Sequence, residues 1–252
     1  MSGHSKWANI KHRKAAQDSK KGNERQKLIK MIIIAAKEGG GDPAMNVRLK
    51  AALDRARAAS VPNDSITRAI KRGTGELEGV SYEDLLYEGY GVDGVAIICE
   101  SLTDNRNRTT PEIRAILERN GGSMGTSGSV AWNFERKGTV NVEGEIDEDR
   151  LMEDSIDAGA DDVEMIDGGA VVTTDPATMM DVRAALESKG YKIGEAEVIY
   201  SPKNTVTIDN IDKARKMLKL VDLLEGHDDV QNVFANFEFT DEVNDALAKD
   251  DE

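Results

Sequence analysis

Apolar residues recur with two different periods along this chain, and the change of period divides it. From residue 23 to residue 72 the spacing is helical. Leu28, Ile32, Ala35 and Ala36, with Ile29 and Ile33 beside them, predict a helix over residues 23–38. Gly39-Gly40-Gly41 and the turn at Asp42-Pro43 end it. Leu49, Ala52, Leu53 and Ala56 line one face of a second predicted helix, residues 46–60, and Arg48, Lys50, Arg55 and Arg57 lie largely off that stripe. Pro62 breaks the pattern. Asn63 then caps a third helix carrying Ile66, Ala69 and Ile70, with Arg68, Lys71 and Arg72 riding on it and Gly73 and Gly75 closing it. Residues 1–22 hold few apolar positions and read as an extended or partly helical arm.

From residue 80 the period shortens. Leu85–Tyr90 and Val95–Ser101 read as strands joined by a hairpin at Val92-Asp93-Gly94. Thr109-Thr110-Pro111-Glu112 predicts a helix start, with a Thr cap, a proline in the first turn and an acid near the positive end. Ile113, Ile116 and Leu117 face inward, Gly121-Gly122 end the helix, and Ser129–Phe134 reads as a strand. Then follow a strand (Thr139–Val142), a helix (Asp147–Ala158), two strands (Val163–Ile166, Ala170–Thr174), a helix from Asp175-Pro176 to Ser188 and a strand (Lys192–Tyr200). That βαββαβ order is the split-βαβ arrangement. A helix (Asn210–Glu225) and a strand (Val230–Phe239) complete a second α+β unit with the strands of residues 85–134, and Asp241–Glu252 reads as an acidic, frayed tail. The expected organisation is an arm, 1–22; a basic helical domain, 23–78; an α+β domain built from 79–136 and 205–252; and a βαββαβ domain, 137–204, inserted in it.

Charge sharpens this division. The 252 residues carry a net charge of −14, yet residues 1–72 hold 17 Lys/Arg against 6 Asp/Glu, a balance of +11, and the remainder holds 16 against 41, a balance of −25. A basic module on an acidic body presents one end to phosphates and is repelled at the other, which orients docking; both ends as plain solvated surface is the alternative. Aromatics are only 4%, so cores must rest on Val, Ile, Leu, Ala and Met. One cysteine, Cys99, excludes a disulfide within the chain and fits a reducing compartment. No apolar run approaches the roughly 18 residues of a membrane span, and the first residues lack the apolar core of a signal peptide. A cytoplasmic location is expected.

Candidate chemistry concentrates at the front. Gly3–Lys14 combines Lys6, Lys11, Arg13 and Lys14 with Trp7, His4, His12 and Asn9. The cations can neutralise phosphates and release counterions. Trp7 either stacks on an unpaired base or anchors the arm on the body. Lys20 and Lys21 continue the basic run. Arg106 and Arg108, just before the predicted helix start, form either an anion cradle with the helix amides or a turn in which Asp104 and Asn105 pair with the arginines. The histidines have no acidic or cysteine partner at metal-ligand spacing. Gly121–Gly128 lacks the Gly-Lys-Ser/Thr of a phosphate loop and reads as a flexible turn. Cys99 sits in an apolar run and reads as packed. Asp161-Asp162 and Asp228-Asp229 stand at turns, where solvated carboxylates are expected. No nucleophile pair or metalloprotease motif occurs, so no enzyme, cofactor or small-molecule substrate is expected.

Gly3-His-Ser-Lys-Trp-Ala-Asn-Ile-Lys-His-Arg-Lys14 resembles the opening of the YebC family, also called the PmpR or DUF28 family. The resemblance continues through Gly39–Pro43, Ala69–Glu76, Tyr87–Gly91, Thr103-Asp-Asn-Arg-Asn-Arg-Thr109 and Gly128-Ser-Val130, and so spans essentially the whole chain. It departs at Arg25-Gln26, where members usually have Phe-Thr, and at Val92-Asp93, where they have Pro-Gly. The resemblance implies an α+β protein with a helical N-terminal bundle and two ferredoxin-like α+β domains, and a transcriptional regulator that binds DNA. Some members look like translation factors acting at the ribosome on difficult stretches such as proline runs, and a mitochondrial relative is a translational activator.

The expected function is a nucleic-acid-binding regulator whose partner is promoter DNA or, in the second reading, ribosomal RNA. Its contacts are expected at Lys6, Trp7, Lys11, His12, Arg13, Lys14, Lys20, Lys21, Arg55, Arg68, Lys71, Arg72, Arg106 and Arg108. A reading of another class, a scaffold whose acidic body binds a basic protein, predicts that residues 1–22 are dispensable.

Overall fold

The computed structural model describes residues 21–79, 81–166 and 168–250. In chain order the elements are helices α1 (Lys21–Gly39), α2 (Val47–Ala58) and α3 (Asn63–Gly73); strands β1 (Glu83–Tyr90) and β2 (Ala96–Thr103); α4 (Arg106–Arg119); β3 (Ser123–Met124) and β4 (Phe134–Glu143); α5 (Glu148–Asp157); β5 (Asp162–Ile166) and β6 (Gly169–Thr174); α6 (Met179–Ser188); β7 (Lys192–Pro202) and β8 (Val206–Ile208); α7 (Ile211–Glu225); β9 (Val230–Ala235) and β10 (Phe237–Phe239); and α8 (Asp241–Asp250). This is a mixed α+β chain that opens with a helical bundle. It forms two compact units: residues 21–127 with 215–233, and residues 128–214 with 234–250.

In the first unit α1 is the hub. Ile32 to Ala36 are all buried, because α2 and α3 both pack on α1. The bundle core joins Leu28, Ile32 and Ile33 to Leu49, Leu53, Ile66 and Ala69. One side chain links α1 to α2. Asn46, 6% exposed, accepts from the Leu49 N–H at 2.9 Å as the α2 cap and donates to the carbonyls of Ala35 at 2.7 Å and Gly40 at 2.8 Å. It therefore satisfies orphan groups of two helix ends at once. Gly73 brings the end of α3 against α1: a Cβ there would lie 2.4 Å from the Ile33 carbonyl oxygen.

The sheet of this unit runs β3-β1-β2-β9. Its central pair is an antiparallel hairpin in register Tyr87↔Cys99, turned through Asp93 at φ 56° and Gly94 at φ 76°. Gly89 and Gly91 point to one face, where Leu117 of α4 crowds the first and Met217 of α7 the second, so both helices cover the same side. The chain leaves after β3 and returns through α7 to β9.

The second unit has the expected split-βαβ sheet, β5-β6-β4-β7, antiparallel throughout. Val140, Val142, Ala170 and Val172 pack against Leu151 of α5 and Val182 and Leu186 of α6. A parallel pair, β8 with β10, buries Ile208, Phe237 and Phe239.

Several local expectations are corrected. Residues 129–133 are not strand: Ala131–Asn133 is a 3₁₀ turn, held because buried Asn133 exchanges hydrogen bonds with Asn204 and takes the Lys203 N–H on its carbonyl. The strand begins only at Phe134 and runs on to Glu143. α4 starts one turn early, because Asn105 rather than Thr109 is its cap, accepting from the Arg108 N–H at 3.1 Å. α6 begins at Met179, after a turn in which Asp175 takes the Ala177 N–H. The single strand expected over Val230–Phe239 breaks at Asn236, whose carbonyl accepts the Val206 N–H and which thereby shifts the chain to a second sheet. Gly121–Gly128 contains the short strand β3. The acidic tail is helical through Asp250, with Val243 buried.

Candidate nucleic-acid interface

Of the expected contact residues, Lys6, Trp7, Lys11, His12, Arg13, Lys14 and Lys20 lie outside the described residues. Lys21 is the first residue of α1.

α3 brings three of the others together. Ile66 and Ala69 turn inward, so Arg68, Lys71 and Arg72, at spacings of three and four, share the outer side and are exposed. Among the described residues no carboxylate pairs with any of them. Lys71 and Arg72 also stand in the last turn, where a cation answers the negative end of the helix dipole. Arg55 on α2 is half-buried, and Lys50, not singled out in the sequence, is exposed.

Other cations of the bundle are committed inside the molecule. Arg48 pairs with Glu38 and, at 3.5 Å, with Asp84. Arg57 pairs with Asp54 at 3.4 Å. Lys27 donates to the Glu225 carbonyl at 2.6 Å, and Lys37 to the Ser81 hydroxyl at 2.8 Å.

The two arginines near α4 separate. Both stand in its first turn rather than before it. Arg108 donates to Asp229 at 2.6 Å and to Asp104 at 3.0 Å, which is the paired alternative of the sequence reading. Arg106 is exposed, and no described carboxylate pairs with it.

Asp229 overturns the expectation of a solvated turn. Its side chain is 2% exposed. Oδ1 accepts from Lys30 at 2.6 Å; Oδ2 accepts from Arg108, from Thr109 at 2.7 Å and from Thr103 at 3.1 Å. Burial alone pushes this carboxyl up, but the hydrogen bonds from Lys30, Thr109 and Arg108 outweigh it and hold it well below the usual carboxylate range. The same bond to Asp229 raises Arg108. Nothing in the spacing of Asp228-Asp229 marks this role; the partners come from α1, β2 and α4, far apart in sequence.

Two further features bound the chemistry. Cys99 is buried, and its thiol is pushed up to about 12 by that burial, which removes it as a nucleophile at neutral pH. α2 and α3 are joined by four residues, yet each packs mainly on α1, so they do not form the mutually packed helix-turn-helix that lays a reading helix in the major groove. Among the described residues no helix is long and apolar enough to cross a membrane.

Comparison with known proteins agrees with this architecture along its length. Residues 5–76 match the TACO1/YebC protein N-terminal domain, and residues 82–237 match the TACO1/YebC second and third domain. A protein of Dictyoglomus turgidum named "probable transcriptional regulatory protein" is 54% identical over 250 residues, 98% of this chain and 100% of that one. One of the same name from Halothermothrix orenii is 51% identical over 253 residues, 99% and 100% of the two chains. The crystal structure of a conserved hypothetical protein from Aquifex aeolicus superposes with a TM-score of 0.86 at 43% identity, covering 94% of this chain and 98% of that one. With both family models and full-length relatives matched, the chain belongs to the TACO1/YebC family of regulatory proteins.

Proposed function

We propose that this protein is a non-enzymatic regulator of transcription that holds the phosphate backbone of DNA on the outer face of its helical bundle. The observation that carries the reading is the α3 triad: Arg68, Lys71 and Arg72 are exposed on one face, and no described carboxylate pairs with them. Unanswered cations at helical spacing offer charge to a polyanion without first breaking an internal pair. The basic residues of the arm, Lys6, Lys11, Arg13, Lys14 and Lys20, extend the same charge along the sequence. The names of the relatives support the regulatory part of this reading. Such a protein would work in the cytoplasm.

The packing of α2 and α3 on α1 supports a second reading, folded RNA as the polymer. A cationic face without a groove-reading helix suits recognition through backbone and shape, which structured RNA also offers.

The test is affinity for a labelled DNA duplex and for a labelled structured RNA across a salt series, with wild type and an R68E/K71E/R72E variant. Wild type should bind with a steep loss of affinity as salt rises. The variant should lose at least about tenfold in affinity and about three from the salt slope, roughly one per phosphate contact. Unchanged binding by the variant would sink the reading, and the polymer held more tightly decides between DNA and RNA.

A further inference from the structure

α4 carries more positive charge than the network around Asp229 takes up. Arg106 and Arg108, two residues apart on a helix, point to opposite sides. Arg108 turns to Asp229 and Asp104. Arg106 turns the other way, onto the side where Thr110 and Arg114 follow at spacings of four. That side forms an open groove of about 440 Å³, lined by Arg106, Asn107, Thr110 and Arg114 and ending at Glu118. Both arginines are exposed, and no described carboxylate pairs with either. By helical rise their Cα atoms stand about 12 Å apart, room for a run of phosphates rather than a single ion.

Tyr82 belongs to the other side of α4, the side of Arg108, and does not line this groove. Its phenol is raised by burial and by Asp104 and Asp229, and lowered by Arg72 and Arg108. It therefore stands within electrostatic reach both of the last turn of α3 and of the first turn of α4. Lys30 lies 5.8 Å from its ring centre on the inner side. Both helices belong to one compact unit.

We propose that Arg106 and Arg114 form a second line of phosphate contacts, holding the sugar-phosphate backbone along the groove of α4, while Arg108 is an internal tie that takes no part. Arg114 is the new contact, and Arg106 and Arg108, adjacent in one motif, receive different roles. This rests on the reading of α3 as a phosphate-binding face.

The experiment measures affinity and salt slope for a labelled mixed-sequence DNA duplex and a labelled structured RNA. The proteins are wild type, R106Q/R114Q, the α3 variant and K216Q/K219Q, which removes the same charge from exposed positions of α7. The expected result for R106Q/R114Q is an unchanged melting temperature, a salt slope lower by about two and an affinity at least about tenfold weaker. R106K/R114K should restore most of the slope. If R106Q/R114Q binds as wild type while the α3 variant does not, the second line is wrong and the α3 reading stands. An equal loss in K216Q/K219Q would also overturn it, since the effect would then be net charge alone. If wild type binds neither polymer, both readings fall together.

Discussion

The outer face of α3 and the surface of the split-βαβ unit treat their cations in opposite ways. Residues 137–204 hold six Lys/Arg among 17 Asp/Glu, and five of the six are paired: Lys137 with Asp161, Arg150 and Lys189 with Asp154, Arg183 with Glu187, Lys192 with Glu143. The sixth, Lys203, sits in the loop before β8. Residues 21–72 hold 12 Lys/Arg against 5 Asp/Glu. There Glu38 and Asp54 answer Arg48 and Arg57, and no described carboxylate answers the triad of α3. What separates a candidate contact from a structural cation is whether a carboxylate already answers it. By that measure Arg108 resembles the lysines of the split-βαβ unit more than it resembles Arg106, its neighbour in sequence.

The most forceful way to break this division is Asp229→Ala. If Lys30 and Arg108 are internal ties, the loss should appear in stability rather than in binding. Removing one partner of a buried ion pair costs on the order of 3–5 kcal/mol, so the variant should unfold at markedly lower denaturant concentration. Nucleic-acid affinity, measured where it is still folded, should hold. The wild-type pH profile should carry the same signature. Because the folded-state pKa of Asp229 is depressed, its contribution is fully present above the ordinary carboxylate range, near about 4. It is lost as pH falls from there toward the folded value. Asp229→Asn should flatten that acid limb. An unchanged acid limb would show that Asp229 is not answered as the structure places it.

A smaller effect is expected at Asn46. Its amide ties α1 to α2 and touches none of the triad. Asn46→Ala removes a cap and leaves the Ala35 and Gly40 carbonyls short of a donor, a cost of about 1–3 kcal/mol. Chemical denaturation would show it. Were the affinity for nucleic acid to fall in proportion, the binding face would depend on α2 as well as α3.

How far this division was legible in the sequence follows from the range of the interactions involved. The bundle helices, the split-βαβ order and the outward placement of Arg68, Lys71 and Arg72 rest on local periodicity, and the structure places them within a few residues of expectation. The breaks at Asn133 and Asn236 were not legible, since each is made by an amide reaching Asn204 from a distant segment. The same limit hid Asp229. A turn aspartate beside another aspartate looks solvated, and only the fold brings Lys30, Thr103 and Arg108 around it. For Arg106 and Arg108 the sequence left two readings open because both arginines were placed before the helix. Once Asn105 caps α4, the two residues fall on opposite sides and each takes one of those readings. Arg114 could have been found by counting eight residues on from Arg106, had the helix been started at Arg106.

The smallest expected effect is the complement of the first. Lys137 and Arg183 lie on the surface of the split-βαβ unit, each held by a carboxylate, at 3.0 Å from Asp161 and 3.2 Å from Glu187. Exposed pairs of this kind contribute about 0–1 kcal/mol, because water already screens them and the side chains lose entropy in pairing. Lys137→Gln with Arg183→Gln should therefore change stability by less than about 1 kcal/mol and leave both affinity and salt slope as in wild type. The removal of two positive charges makes this a demanding comparison. If total charge governed binding, the variant would weaken it as much as R106Q/R114Q does. If unanswered cations govern it, the two variants differ although their net charges are equal, and the salt slope, which counts released counterions, is the quantity that separates them.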